Sequence, residues 1–220
     1  SILILPSLII REAKQDSWLS IILATVFGVL AGLILVKLGL RFPEQTIIEY
    51  SKEIAGKPLG ALYGLSYIFL LFYINTFIIR EFLELLKSEF FPETPAEVFA
   101  AVIVLAAAYM ICQGLEVISR TNEILLPFEL LFIIGGVVLS FKDLEFVRLL
   151  PVLSKGVAPV LKGAYPATVF MSDITLITVI LPALNIPRQA TRSVVTAIIS
   201  VGLIHTILAT VVLALLGLEA

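Results

Sequence analysis

The sequence predicts an all-α membrane protein organised around an inverted internal repeat, and three observations carry that expectation. Hydrophobic residues make up 60% of the chain and charged residues 15%, with a mean hydropathy of +1.09, which leaves too little polar surface for an ordinary soluble domain. Several apolar runs reach the ~20 residues that a helix needs to cross a hydrocarbon layer of ~30 Å. Ile4-Leu5-Pro6-Ser7-Leu8 returns as Ile180-Leu181-Pro182-Ala183-Leu184, and the same shift of 176 pairs Ile10 with Ile186, Ser17 with Ser193 and Ile22 with Ile198. An odd number of crossings separates the two copies, so the second is expected upside down in the bilayer relative to the first, as in carrier folds.

Composition also excludes several classes. The single Cys112 and the single His205 leave no disulfide, cysteine-ligated metal or His-rich zinc site. A net charge of -2 supplies no basic surface for nucleic acid, and there is no Walker or dinucleotide glycine pattern. No metal or cofactor is therefore expected. No nucleophile, base and orienter set suggests an intramembrane enzyme. The chain opens inside an apolar run without methionine, and reads as a single polytopic fragment, residues 1–220, holding most of one repeat and the opening of the next.

Residues 1–10 read as the end of a first membrane helix, closed by Arg11, Glu12, Lys14, Gln15 and Asp16. The second span covers about 18–40, with Trp18 suited to the water interface and Lys37 able to extend its stem toward it. Gly28 and Gly32 within it form a small-residue packing face too common to imply a dimer. Arg41-Phe42-Pro43 breaks that helix, and Thr46 with Glu49 reads as a capping box opening a short interfacial helix over 44–56. Ile47, Tyr50 and Ile54 recur at helical spacing, which suits a helix lying in the headgroup layer. The third span runs over about 59–79 and continues as a charged helix through Lys87, and the fourth covers 96–112. A polar turn over 113–123 precedes a fifth span at 124–141; in it Glu116, Arg120 and Glu123 have the spacing of an ion-pair ladder. After a charged loop at 142–156 come a sixth segment, 157–184, and a seventh span, 193–216. Lys and Arg divide almost evenly between alternating loops, so the positive-inside rule assigns no orientation.

The sixth segment is the candidate site. Pro159, Gly163, Pro166, Ser172 and Asp173 interrupt it, and an interior proline costs a helix ~3 kcal/mol. Non-helical backbone at membrane depth survives only where protein buries it or water reaches it. Carbonyls and amides are expected free around 167–172, with Asp173 opening a second half-helix whose positive end favours an anion such as an amino-acid carboxylate. As an N-cap Asp173 would satisfy those amides itself; turned inward it would hold a ligand's amino group. A structural kink or a re-entrant loop are the blander readings. On the repeat, the counterpart of this break falls four residues before Ser1.

Glu129 sits in the middle of the fifth span, where a charge is costly, on one face with Asn122 and Gly136. It is a candidate for proton coupling, against a plain interhelical hydrogen bond. Asn75 and His205 are weaker candidates for polar coupling, and modest interhelical glue accounts for either.

Several stretches together have a family likeness: Ile4-Leu5-Pro6-Ser7 with Gln15-Asp16, Arg41-Phe42-Pro43, Gln45-Thr46, Ile48-Glu49-Tyr50, Arg80-Glu81-Phe82, Gly114 through Arg120, and Leu150-Pro151-Val152-Leu153. In collinear order over nearly the whole chain, they resemble the B subunit of spore germinant receptors, within the amino acid, polyamine and organocation transporter superfamily. The resemblance implies a ten-helix, five-plus-five inverted-repeat bundle with a cytoplasmic N-terminus and broken first and sixth helices around a small-molecule pocket. It also implies a nutrient germinant, often an amino acid, A and C partner subunits, and the spore inner membrane. Carried over by position, the ligand-binding residues are Ala167, Thr168, Val169, Phe170, Ser172 and Asp173. Relatives often show Phe, Pro, Gly and Glu at this break; here the acid is kept and the glycine is missing, which leaves the local backbone and the ligand open. Alternatives are a proton-coupled amino acid permease and a membrane scaffold with a vestigial pocket.

Overall fold

The computed structural model describes residues 5–184 and 187–217, apart from the side chain of Arg188, and all regular structure among them is helical. Ile4 and Ile186, which contribute to the repeat, lie outside the described residues. Six helical stretches among those described are long and apolar enough to cross a membrane. The chain divides into two compact units, Ser1–Gly64 with Leu139–Ala220, and Leu65–Val138.

In the first unit, α1 (Leu5–Ala13) and α2 (Ser17–Gly39) meet at a 3₁₀ turn, Lys14–Asp16, where Lys14 takes a positive φ of 54°. α7 (Ala158–Met171) and α9 (Ala190–Leu216) complete the core. α2 buries Ser17, Ile21, Ala24, Gly28, Gly32 and Val36, and α9 buries Val194, Ile198, Gly202, His205, Ala209 and Leu213. Both sets recur every three or four residues, one face of a helix. A Cβ added at Gly32 would lie 2.8 Å from Ile198 Cδ1 and 3.0 Å from Val194 Cγ1, and one at Gly202 would lie 2.2 Å from Thr25 Oγ1. Rising numbers on α2 thus meet falling numbers on α9, so the two helices are antiparallel. Apolar burial gives helices little reason to associate in lipid, so close approach at small residues supplies the contact. α1 and α7 join through Leu5, Ile9, Ala13, Ile21, Ala24, Ala167 and Ala209, while the Ser20 hydroxyl donates to the Val160 carbonyl at 2.9 Å.

The stretch before α7, read as a charged loop, is a fastened strap. The Glu145 amide donates to the Ala214 carbonyl at 3.0 Å and the Arg148 guanidinium donates to the Leu215 carbonyl, satisfying two of the last carbonyls of α9. A cation there also opposes the negative end of the helix dipole. Farther along, the Leu153 amide donates to Asp16 Oδ1 at 2.8 Å, and Gln15 Nε2 donates to Ser154 Oγ at 2.6 Å and the Pro151 carbonyl at 3.2 Å. Two polar residues that looked like a simple membrane boundary are buried by these bonds.

α3 (Ile47–Ala55) opens with the expected capping box: the Thr46 amide and hydroxyl donate to Glu49 Oε2 at 2.7 and 2.9 Å. Its apolar face is divided. Ile47 and Tyr50 are buried, with the Tyr50 ring stacked on Phe42 at 5.2 Å, whereas Ile54 is exposed.

α4 (Lys57–Leu85) leads into the second unit and ends in a π-helical turn, Leu86–Phe90, before α5 (Ala96–Gln113) and α6 (Leu115–Ser140). The expected polar turn at 113–123 is corrected here: the helix is interrupted at Gly114 alone, whose φ of 92° suits glycine, and α6 starts at Leu115. The helix therefore carries the ladder residues. Arg120 pairs with Glu116 at 2.6 Å, and no Arg120–Glu123 pair forms among the described residues. α5 and α6 bury no residue.

Candidate functional site

Helix geometry changes inside the sixth span, Ala158–Ala183. α7 gives way at Ser172–Leu176 to a 3₁₀ stretch, followed by one turn of α-helix, α8 (Ile177–Ile180), and a second 3₁₀ turn, Leu181–Ala183. Runs of 3₁₀ inside a helix have poorer hydrogen-bond geometry and mark hinges or strain. The change falls one turn later than the sequence suggested. Ala167–Phe170, expected to carry free backbone groups, lie within regular α-helix. Pro159 occupies the first turn, where an N–H has no partner to lose, and Pro166 withholds one N–H from the Lys162 carbonyl without unwinding the rest. The Thr168 hydroxyl donates to the Ala164 carbonyl at 2.8 Å and the Ser172 hydroxyl to the Val169 carbonyl at 2.6 Å, both within their own helix.

The six expected binding residues wind round this helix. Ala167 is fully buried in the core, Phe170 packs against the same core, Thr168 and Ser172 are half-buried, and Val169 and Asp173 are exposed. Asp173 occupies the second position of the 3₁₀ stretch, and the residue before α8 is Leu176, so Asp173 does not cap a half-helix. Opposite the change lie two glycines read from sequence as general packing. A Cβ at Gly28 would lie 3.1 Å from Met171 Sδ, and one at Gly32 would lie 3.6 Å from Ile174 Cγ1. The four-residue glycine spacing was the available signal; its partner was not.

The three coupling candidates divide between the two units, each described by itself. Asn75 and Glu129 belong to the second unit, where Asn75 Nδ2 donates to its own helix at the Leu71 carbonyl, 2.8 Å away, and Glu129 is exposed. His205 belongs to the first unit and is 6% exposed. Its Nδ1 lies 2.8 Å from the Val201 carbonyl. A carbonyl only accepts, so Nδ1 carries a hydrogen toward it, and Nε2 has no partner among the described residues. Outside the spans, the Thr46 amide and hydroxyl hold the Glu49 carboxyl below its ordinary range. No group of three or more His, Cys, Asp or Glu able to hold a metal occurs among the described residues.

A multi-pass helical chain with a change of helix type within one span is the class defined by these features. The particular family follows from comparison: all 220 residues match the family of spore germination proteins, and the chain belongs to it. It is similar to spore germination protein YndE of Bacillus subtilis strain 168, 28% identical over 195 residues, covering 88% of this chain and 54% of the relative. It is 25% identical over 210 residues to spore germination protein KB of the same organism, covering 93% and 55%, and 30% identical over 190 residues to putative spore germination protein YfkT, covering 84% and 51%. The chain spans about half the length of these curated relatives. No solved structure matches it.

Proposed function

We propose that this chain is part of a germinant-sensing receptor subunit, in which a nutrient of amino-acid type binds beside the 3₁₀ stretch Ser172–Leu176 and shifts the bundle between two states. The observation that carries the reading is the change of helix geometry at Ser172, at membrane depth and against the glycine face of α2, in a chain of the spore germination family. A 3₁₀ stretch can relax to α, and a ligand that binds one of the two forms better shifts the balance. Ser172, Asp173 and the exposed Val169 are the residues available to the solute; Ala167, Thr168 and Phe170 set the helix position behind them. The reading includes A and C partner subunits, the spore inner membrane, and an inverted repeat completed by residues of the whole protein. Glu129, Asn75 and His205 enter as polar coupling groups.

The full-length protein in liposomes, offered a panel of amino acids, tests this. Saturable binding without uptake is the expected result. Uptake would make the protein a proton-coupled permease, and neither binding nor uptake would leave a scaffold.

A further inference from the structure

α1 and α7 enclose a groove of about 520 Å³, lined by Leu8, Arg11 and Glu12 on one side and Lys162, Tyr165 and Pro166 on the other. The α7 residues have the spacing of one helical face, and the opposite face of that helix is the buried one carrying Gly163, Ala164 and Ala167. Arg11 and Lys162 therefore stand on facing walls. No ion pair within 4 Å joins either of them to Glu12 among the described residues.

Two more cations stand at the same end. A Cβ at Gly163 would lie 2.7 Å from Ala13 Cβ, which puts α7 against the last residue of α1 and hence beside Lys14. Lys14 in turn lies beside the Lys155 side chain, and its proximity lowers the Lys155 pKa. The strap enforces this unfavourable contact, because the bonds of Gln15 and Asp16 to residues 151–154 fix the turn on which Lys14 sits. Four cations thus converge against Glu12 and Asp16, and Asp16 is buried and already accepts from the Leu153 amide. Like charges that the fold holds together lose their repulsion when an anion lies between them.

We propose that this groove binds a phosphate-bearing ligand, with Arg11 and Lys162 on its walls and Lys14 and Lys155 at its rim. A planar guanidinium and ammonium groups together suit a phosphate oxyanion. Glu12 within the groove selects a ligand that also carries a hydroxyl or ammonium donor. Leu8, Pro166 and the Tyr165 ring supply apolar wall at the polar end of two spans. An anionic phospholipid headgroup or a soluble phosphate compound has this chemistry, and basic pockets between membrane helices bind such headgroups. The inference is independent of the nutrient reading.

The test uses the full-length protein in phosphatidylcholine nanodiscs, with native mass spectrometry counting retained phosphatidylglycerol and inorganic phosphate added as competitor. Arg11→Gln with Lys162→Gln is expected to lower phosphatidylglycerol retention at least tenfold, Glu12→Gln to raise it about threefold, and Lys142→Gln to leave it unchanged. Phosphate binding that the double substitution removes, without phospholipid retention, assigns the groove to a soluble ligand and supports the site. Equal retention and equal phosphate binding in wild type and double variant overturn it. If the double variant does not fold, the exposed single change Glu12→Gln decides, and no gain in retention or phosphate binding overturns the proposal.

Discussion

α9 and α6 are nearly the same object as sequence, helices of 27 and 26 residues with comparable hydropathy, yet a third of the apolar window of α9 is buried inside the chain and none of that of α6. Hydropathy does not distinguish them. What differs is the spacing of small residues against a partner: Gly202 fits under Thr25 and the glycine face of α2 receives Val194 and Ile198, whereas a Cβ on Gly135 or Gly136 would meet nothing within 4 Å. Apolarity puts a helix into the bilayer, and matched surface relief decides which helices hold each other there.

The strongest way to break the comparison is to add bulk on each side of it. Gly202→Leu must displace Thr25 and is expected to cost about 3 kcal/mol. Gly136→Leu should stay within ~0.5 kcal/mol of wild type. Unfolding in detergent, followed by circular dichroism, measures both, and equal losses would refute the distinction. Next is Asp16→Ala, which takes a charged acceptor from the Leu153 amide and is expected to cost about 2 kcal/mol and speed exchange of that amide. Asp16→Asn, which keeps an acceptor oxygen, should lose less. Arg148→Ala frees the Leu215 carbonyl, for an expected cost of about 1 kcal/mol, with faster exchange confined to the strap and the last turn of α9.

The smallest effect concerns pH. Because the Glu49 carboxyl is lowered by its bonds from Thr46, its contribution to α3 is present above the ordinary carboxylate range and is lost as pH falls through the lowered folded value. Glu49→Gln should remove that acid-side dependence while leaving α2 and α9 unchanged, as read by residue-resolved hydrogen exchange.

Spans and caps were legible because their causes are local. Apolar runs located the helices, and Thr46 with Glu49 located the start of α3. The loop at 113–123 was misread because polar residues on a helix surface look like a turn in one dimension, while the true signal was Gly114. The proline-rich sixth span pointed to the helix whose geometry changes but placed the change a turn early, since Pro166 removes only one amide bond and α7 continues past it to Met171. The bonds of Asp16 and Gln15 cross more than 130 residues, and nothing in either segment alone announces them.

The central claim is that the 3₁₀ stretch of the sixth span meets a solute. In the full-length protein with Cys112→Ser, single cysteines at positions 169, 173 and 132 can be titrated with a water-soluble thiol reagent, with and without the amino acid that triggers germination. The account predicts that Val169→Cys and Asp173→Cys react and are protected by that amino acid, while Phe132→Cys on α6 is indifferent to it. Inert cysteines at 169 and 173, or reaction at an unchanged rate with a bound germinant, would contradict it.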